Sequence, residues 1–321
     1  MRLAAALVLV ALAPLPAQDV WLGDSLARLG FANPLPERPG EERLVRAKGT
    51  PSVVEAARDS DTVLVDGIRV SLNAPLGLRP MRLPTGPAVP RLTVSRGDYD
   101  RTLAPLLWSP PPEARRPARI LIDPGHGGKD PGKQSKELRM DEKYLTLDTA
   151  TRLAALLRQA GFEVHLTREK DVFLELEDRA RRAAALKADL FVSLHYNAAT
   201  AASASGIETY CLTPAGQFST NDPNNRGSTG ALPGNRHDAL NLRAAYLVQR
   251  ALVTRLEARD RGVRRARFSM LKDLSCPGIL VEGGFMSNRS EMLRLSQESY
   301  RQRVAAAIAE GIGAYAGALP R

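Results

Sequence analysis

The chain has 321 residues, of which 44% are hydrophobic, and this content is enough for packed cores. Its net charge of +10 and isoelectric point near 9.9 favour contact with nucleic acid, anionic lipid or an anionic cell wall. The basic residues are scattered and are not interleaved with aromatic ones, which disfavours nucleic acid.

Residues 1–17 have the composition of a cleaved signal peptide. Arg2 gives a basic start, an apolar run extends from Leu3 to Leu15, and Ala17 is a small residue at the expected cleavage position. The run is too short to anchor a folded protein across a bilayer, and no later segment could span one. We therefore expect export without stable membrane insertion, with a retained N-terminal anchor as the alternative. The compartment is periplasmic in a cell with an outer membrane and extracellular or wall-associated otherwise.

Residues 18–108 predict a small β-rich N-terminal domain. Two β-rich runs flank Asp66-Gly67, a dipeptide typical of tight hairpins. Residues 60–107 weakly resemble the small extracytoplasmic module related to the N-terminal domain of copper amine oxidases, and a wall-binding or spacer domain is the other interpretation. Residues 109–117 contain three consecutive prolines and predict an extended linker.

Residues 118–321 predict an α/β domain. Strands are expected at 119–123, 162–167, 189–195, 206–212, 267–271 and 278–282, and helices at 140–161, 174–187, 237–258 and 297–316. Strands that alternate with helices indicate a three-layer fold, in which helices flank a mostly parallel sheet. Asp141 is the expected N-cap of the first helix, and Gly161 is its expected stop.

Two features of this domain have more than one interpretation. The polar connection 214–235 is rich in turn formers and predicts a lid, a substrate-binding loop or a disordered segment. Cys211 and Cys276 lie beside predicted strands, which is compatible with a disulfide or with two buried free thiols. Neither cysteine has the spacing of a metal or redox site.

Four polar residues are placed where predicted strands end or a helix begins. His126 lies in a glycine-rich loop after the first strand, and Glu142 lies in the first turn of the next helix. His195 and Glu282 end two further strands, so the side chains should gather at one edge of the sheet. Two imidazoles and a carboxylate are a ligand set that leaves zinc an open coordination position, and a second carboxylate can act as general base.

Each of these residues also has a structural interpretation. His195 could be a satisfied structural histidine, and Glu142 could stabilise the dipole of its helix. Glu282 ends an apolar strand, where an unpaired carboxylate is costly to bury. Of the other histidines, His165 is predicted to be structural, and His237 is predicted to cap a helix or face solvent, with a visit to the site as the alternative.

A phosphate-binding loop at 127–133 is a further alternative. Gln134 occupies the position of the Ser or Thr that would hold Mg²⁺, and no helix is predicted directly after Lys133. Both departures remove groups that a phosphate cradle needs, so this interpretation is disfavoured.

Residues 118–316 resemble the zinc-dependent N-acetylmuramoyl-L-alanine amidases, the group typified by the cell-separation and sporulation amidases. The matching motifs are IDPGHGGKDPG around His126, the pair Glu142-Lys143, LTREKD at 166–171, ADLFVSLHYNA around His195 and LVEGGFMSN around Glu282. The resemblance implies that His126, Glu142 and His195 hold one Zn²⁺ and that Glu282 is the catalytic carboxylate. It also implies cleavage of the amide between N-acetylmuramic acid and L-alanine in peptidoglycan. We expect the chain to be a monomer.

The chain departs from the family pattern at two places. Tyr196 follows the proposed ligand histidine where the family usually has a small residue, and Ala183-Ala184 stands where Ala-Asn is expected. Neither departure touches a proposed ligand, so both bear only on substrate fit. Some relatives carry an inhibitory helix over the zinc, but residues 214–235 contain too many Gly, Pro and Asn for a stable helix.

Three questions follow from the resemblance. Regulation by residues 214–235 would require a flexible lid, and dependence on an activator protein stays open. A catalytically inactive peptidoglycan-binding protein of the same fold is the main alternative, and a metal-dependent hydrolase of another amide is the second. The presence of all four site residues favours the amidase.

Overall fold

The computed structural model describes residues 19–27, 31–32, 41–46, 53–81, 88–107, 110–221 and 229–320. The predicted signal peptide, residues 1–17, lies outside the described residues. None of the described helices combines the length and apolar composition needed to cross a bilayer.

Short strands precede residue 110, and longer strands and helices alternate after it. The described strands are β1 (Asp19–Trp21), β2 (Phe31–Ala32), β3 (Glu41–Arg46), β4 (Val53–Ala57), β5 (Thr62–Val65), β6 (Ile68–Ser71), β7 (Gly77–Met81), β8 (Val89–Ser95), β9 (Arg119–Pro124), β10 (Gln134–Ser135), β11 (Met140–Asp141), β12 (Glu163–Leu166), β13 (Leu190–Asn197), β14 (Ile207–Leu212), β15 (Asp260–Ala266) and β16 (Gly278–Phe285). The described α-helices are α1 (Leu22–Ala27), α2 (Arg96–Asp98), α3 (Ala104–Leu107), α4 (Glu142–Gln159), α5 (Leu176–Leu186), α6 (Asp238–Leu256), α7 (Ser269–Lys272), α8 (Arg289–Leu295) and α9 (Glu298–Gly317).

Eleven of the described strands form one sheet, in the order β12-β9-β13-β16-β14-β15-β6-β5-β4-β3-β2. Strands β12, β9, β13 and β16 are parallel, β14 is antiparallel to β16, and β15 and β6 each run parallel to their preceding neighbour. Strands β6 to β2 are antiparallel. The predicted α/β fold, a mostly parallel sheet preceded by a small β-rich region, is confirmed.

Side chains alternate between two hydrophobic cores on opposite faces of the sheet. Ile122 and Val192 pack in a core that also contains residues of α4, α6 and α9. Leu121 and Phe191, one position away on the same strands, pack with residues of α5 and α7. Because successive side chains of β9 and β13 point to opposite faces, helices pack on both sides of the sheet. This arrangement is the three-layer fold predicted from the alternating pattern.

The predicted hairpin at Asp66-Gly67 is confirmed. Strands β5 and β6 pair on either side of this dipeptide, in which Asp66 has a φ of 46° and Gly67 a φ of 80°. Positive φ at both central residues is the requirement of a type I′ turn, which explains the Asp-Gly sequence.

The strand predicted at 267–271 is wrong. The structure places β15 at Asp260–Ala266 and the short helix α7 at Ser269–Lys272. Three arginines in β15 hide its strand character in the sequence, because arginine favours exposed positions. In the fold, Arg261 and Arg264 pair with Glu208, and Arg265 donates to the Arg101 carbonyl, so each of the three side chains has a hydrogen-bond acceptor.

The N-terminal strands continue the sheet of the α/β region. Val70 of β6 pairs with Val263 of β15, and the Arg69 amide donates to Asp260 at 2.7 Å. The predicted linker packs on the same body, since the Arg116 amide donates to the Pro320 carbonyl. The division into two domains at residues 109–117 stays a prediction. Strands from both sides of this segment belong to one continuous sheet.

The connection 214–235 leaves the sheet at the edge opposite the predicted site. In the antiparallel register, Cys211 lies opposite Ile279, so β14 ends beside the start of β16. The Phe218 amide donates to Asn73 and the Gln217 amide group donates to Asp98, both in the N-terminal region. The described parts, 214–221 and 229–235, therefore do not support the lid interpretation, and residues 222–228 lie outside the described part of the chain.

The two cysteines are buried free thiols. Cys211 belongs to the core that contains α6 and α9, whereas Cys276 belongs to the core that contains α7. The sheet separates them, so the disulfide interpretation is wrong and the free-thiol interpretation is confirmed.

An ion-pair network joins α4 to α9. Asp148 accepts hydrogen bonds from Arg152 at 2.8 Å and from Arg301 at 2.5 Å, and Arg301 also donates to the Leu295 carbonyl. Burial alone would raise the pKa of Asp148, but the hydrogen bonds from the two arginines outweigh it and hold the pKa below the ordinary 3.8. The ionised carboxylate therefore stabilises the packing of the two helices.

We predict that Asp148→Asn reduces the acid sensitivity of the fold. A carboxyl whose pKa is lowered by folding contributes stability that is present above its unfolded-state pKa and is lost as the pH falls through the folded value. The free energy of unfolding of the wild type should therefore fall more steeply than that of the variant between about pH 6 and pH 3, measured by urea denaturation. Asp178→Asn is the control, since its pair with Arg181 is exposed. Equal slopes for wild type and Asp148→Asn would contradict this role.

Candidate metal centre and active site

His126 lies in a strained loop directly after β9. Its φ is 62°, a left-handed conformation that non-glycine residues rarely adopt, and Gly127 and Gly128 follow with φ of 129° and 56°. The imidazole Nδ1 lies 2.8 Å from Asp130 Oδ2, and Nε2 lies 3.1 Å from Glu142 Oε2. Such strain persists only where the surroundings hold the residue in place, which is typical of functional sites.

Two buried arginines hold the backbone of this loop. Arg168 donates to the carbonyls of Pro124 and Gly125, and Arg179 donates to the carbonyls of Pro124 and His126. Both guanidinium groups lie beneath the loop, and the side chain of Arg179 is 3% exposed. The carbonyl groups that the left-handed turn directs inward are thereby satisfied.

Asp123 balances the charge of these arginines. It is fully buried at the end of β9 and receives hydrogen bonds from Arg179 at 2.7 Å, Thr167 at 2.6 Å and Ser193 at 2.9 Å. A buried carboxylate with three donors is tolerated because its lone pairs are satisfied. The pattern-based prediction missed Asp123, Arg168 and Arg179, although an aspartate that ends an apolar strand was an available signal.

Glu142 is the first residue of α4 and contacts both histidines. Its Oε2 accepts from the Lys133 amide at 2.9 Å, and its Oε1 accepts from the Tyr196 amide at 3.0 Å and lies 3.1 Å from His195 Nδ1. Burial would raise the pKa of Glu142, but the hydrogen bonds with His126 and His195 outweigh it and hold the pKa well below its ordinary range. The side chain is therefore an ionised carboxylate placed between two imidazoles.

His195 lies at a bulge near the end of β13. The register with β16 shifts between His195 and Asn197, and such shifts redirect side chains. Its ring meets that of His126 edge to face, with centroids 4.8 Å apart. Only glycine fits opposite it, since a Cβ on Gly125 would lie 2.5 Å from His195 Nε2.

The donor set fits a zinc ion. One ligand atom from each of His126, Glu142 and His195 can be chosen so that all lie within 4.8 Å of one another. Glu142 lies 3.1 Å from each histidine through different oxygens, with Oε2 next to His126 Nε2 and Oε1 next to His195 Nδ1. His195 Nε2 is buried without a hydrogen-bond partner among the described residues. Two imidazoles and one carboxylate form a group consistent with a zinc site.

Glu282 lies beside this group on the neighbouring strand. It pairs in register with His195, so both side chains project from the same face of the sheet. Its Oε2 is buried without a partner among the described residues. Burial raises the pKa of Glu282 well above its ordinary value, and the charges of Glu142 and Glu208 raise it further. The structure therefore brings all four predicted side chains together.

The side chains at the remaining predicted positions lie away from the cleft, although the backbone amide of Tyr196 donates to Glu142. Tyr196 is 3% exposed in a small core, with its hydroxyl 2.6 Å from Thr149 Oγ1 and its ring against Gly283. Ala183 is buried against α7, so neither departure from the family pattern faces the site. His165 pairs with Glu163, and His237 precedes α6 at the opposite edge, so the predictions that place them outside the site are supported.

A model of the N-acetylmuramoyl-L-alanine amidase family matches residues 120–314. The chain is 35% identical over 226 residues to the amidase AmiC of Neisseria meningitidis, which covers 63% of this chain and 53% of AmiC. It is 36% identical over 197 residues to the amidase LytC of Bacillus subtilis, covering 61% of this chain and 35% of LytC. An N-acetylmuramoyl-L-alanine amidase structure from Clostridium difficile 630 superposes with a TM-score of 0.52 at 33% identity, over 62% of this chain and 97% of that one.

The site and these matches together define the class of protein. The chain belongs to the N-acetylmuramoyl-L-alanine amidase family, and its group of His126, Glu142 and His195 fits the zinc site of that family. The chain spans about half the length of the curated relatives, with 53% of the Neisseria AmiC and 59% of the Escherichia coli AmiC covered.

We predict that Arg179→Ala lowers the free energy of unfolding by about 3–5 kcal/mol, because it leaves the buried Asp123 carboxylate without its partner. Urea denaturation of the chelated protein separates this loss from any loss of metal. Arg181→Ala on the same helix is the control, since its side chain is 74% exposed. Similar small effects of the two substitutions would show that the buried pair does not hold the loop.

Proposed function

We propose that this chain is a zinc-dependent hydrolase that cleaves the amide bond between N-acetylmuramic acid and the L-alanine of the peptidoglycan stem peptide. The observation that carries the proposal is the arrangement of Glu282 beside the His126, Glu142 and His195 group, with two buried site atoms lacking partners among the described residues. The family match and the amidase activity printed for the relatives support the choice of bond.

His126, Glu142 and His195 would hold one zinc ion per chain. When bound, zinc supplies an electrophilic centre for a carbonyl oxygen and makes a coordinated water more acidic. The chain contributes the geometry of this centre. Asp130 orients the His126 ring, and the Tyr196 and Lys133 amides orient the Glu142 carboxylate.

Glu282 would transfer the proton. Its partnerless Oε2 accepts a proton from the water that attacks the lactyl carbonyl of muramic acid. The same carboxyl then delivers that proton to the departing alanine nitrogen, so that the amide breaks into a carboxylic acid and a free amine. An inactive peptidoglycan-binding protein would not need this carboxylate, and its presence in register with His195 favours the enzyme.

The proposal extends to location and assembly. The signal-peptide composition of residues 1–17 supports export to the periplasm or the outer cell surface, where peptidoglycan is found. We propose that the chain acts there as a monomer in cell-wall remodelling or cell separation, with peptidoglycan as its partner. The N-terminal strands would serve as a small wall-binding domain.

The first test is digestion of purified peptidoglycan by the zinc-loaded protein, followed by mass spectrometry, with a chelated sample as control. We expect stem peptides that begin at L-alanine, together with glycan strands that have lost their peptides. Unchanged muropeptides in a sample with zinc bound would contradict the activity. Glycan fragments that still carry peptides would point to another bond.

Substitutions separate the roles of the site residues. Glu282→Ala and the isosteric Glu282→Gln should lower turnover by at least about 100-fold, since general acid–base catalysis contributes that much or more, and both should retain zinc. His195→Ala should lose both activity and zinc, measured by metal analysis after dialysis. Near-normal turnover of Glu282→Gln would eliminate its role in proton transfer.

A further inference from the structure

A second carboxylate lies next to Glu282 on the same face of the sheet. Glu208 of β14 is opposite Glu282 of β16 in the antiparallel register, and Glu282 is opposite His195 of β13. The three side chains therefore form a row across adjacent strands, on the face we call the site face. Because neighbouring strands lie about 4.8 Å apart, this row extends from the metal centre towards β15 and β6.

Glu208 is bound by four donors. It receives hydrogen bonds from Asn197 at 2.5 Å, Tyr210 at 2.9 Å, Arg261 at 2.9 Å and Arg264 at 3.0 Å, and it is 1% exposed. Burial would raise the pKa of Glu208, but the charges and hydrogen bonds of the two arginines outweigh it and keep the carboxylate ionised. Glu208 is therefore saturated and is itself unsuited to substrate binding.

Arg261 still has donors to offer. It uses Nε for Glu208 and lies over the Phe285 ring at 4.8 Å, while its two terminal nitrogens have no hydrogen-bond partner among the described residues. Its side chain is 27% exposed. Glu208 and Phe285 thus hold a guanidinium with its terminal amines free, which is the geometry that binds a carboxylate through two hydrogen bonds.

The surroundings of Arg261 are positive and open. Arg261 and Arg264 share the single charge of Glu208, and the exposed Arg69 of β6, which lies against Gly262, has the Asp260 carboxylate beside its backbone, so three arginines face two carboxylates and one positive charge is in excess. Beyond them, the residues of β5 and β4 that face the same side, including Leu64 and Glu55, stay partly exposed. The site face therefore continues from the cleft as an accessible surface.

The substrate carries its charge on one side of the scissile bond. Once the lactyl carboxyl of muramic acid is in the amide, the N-acetylated sugars are neutral, while residues beyond L-alanine carry free carboxylates. Arg261 lies two strands from Glu282, a distance of about 10 Å, and an extended peptide covers this distance in about three residues. Charge and reach both match the peptide side of the substrate.

We propose that Arg261 is a specificity-determining residue that binds a free carboxylate of the stem peptide, two or three residues beyond the scissile amide. The inference rests on the proposed amidase function. It assigns the peptide to the side of the cleft formed by β14, β15 and β6, and leaves the glycan on the opposite side. Amidation of the stem peptide would then reduce its recognition.

The test compares two soluble substrates with four proteins. One substrate is N-acetylmuramoyl-L-Ala-γ-D-Glu-L-Lys with free carboxylates, and the other has both carboxylates converted to carboxamides. Cleavage by the zinc-loaded wild type, Arg261→Gln, Arg261→Lys and Arg255→Gln gives kcat/KM for each pair. Arg255 lies on α6 and pairs with Glu310, so its substitution is the matched surface control. Binding of both compounds is measured by calorimetry in the Glu282→Gln background.

We expect the wild type to prefer the acid by about tenfold in kcat/KM, the size of a charge-assisted hydrogen bond. Arg261→Gln should lose this preference in both cleavage and binding, so that its kcat/KM values for the acid and the amide become equal. Arg261→Lys should keep part of the preference, and Arg255→Gln all of it. Equal kcat/KM values of the wild type for the acid and the carboxamide substrate would overturn the inference, while the proposed amidase function would stand.

A purely structural role gives a different result. If Arg261 only stabilises Glu208, Arg261→Gln lowers kcat/KM equally for acid and amide, and this outcome also overturns the inference. Absence of cleavage of both substrates by the wild type would count against the proposed function, and the calorimetric comparison would then decide the inference alone. A tenfold difference in affinity that disappears in Arg261→Gln would sustain it.

Discussion

The candidate metal centre depends on the buried ion pair of Asp123 and Arg179. This pair lies beneath the loop after β9, and together with Arg168 it satisfies the loop carbonyls and holds His126 in a left-handed conformation. Without such support, a strained turn of this kind would relax and the imidazole would leave its place beside Glu142. The candidate metal ligands are thus positioned by charged side chains that lie beneath the loop and are not members of the candidate ligand group.

A second buried carboxylate on the other side of the cleft is also paired with arginine. Glu208 is buried beside Glu282 and is tolerated because Arg261 and Arg264 pair with it. Glu282, in contrast, has an oxygen without a partner among the described residues, and burial raises its pKa. Two neighbouring carboxylates therefore have different environments, one suited to structure and the other to proton transfer.

The N-terminal strands belong to the same sheet as the strands that carry the candidate site. The family model covers residues 120–314, yet β6 pairs with β15 and extends the sheet by five further strands before that range. The connection after β14, for which the composition predicted a lid, a substrate-binding loop or a disordered segment, contacts this region through Gln217 and Phe218 at the edge opposite the candidate metal centre. In this structure it helps to attach the N-terminal strands to the α/β region.

The sequence by itself determined the structural features that depend on neighbouring residues, namely the tight turn and the alternation of strands and helices. Asp66-Gly67 dictated a hairpin through its positive φ angles, and the alternation of apolar segments predicted the α/β class. The four candidate site residues could be predicted to lie together because His126, His195 and Glu282 follow or end parallel strands, and Glu142 begins the helix after the first of these strands. Such positions depend on strand direction, which the alternation of strands and helices already implies.

Only the tertiary structure decided the rest. The sequence did not predict a strand at β15, because Arg261 and Arg264 pair with Glu208, which lies more than fifty residues earlier in the chain. No local periodicity encodes that pairing. The antiparallel direction of β14 placed the connection 214–235 at the far edge, and the match of β6 with β15 joined two segments separated by nearly two hundred residues. These features arise from long-range pairing of buried polar groups and strand edges, whose energies exist only after the chain has folded.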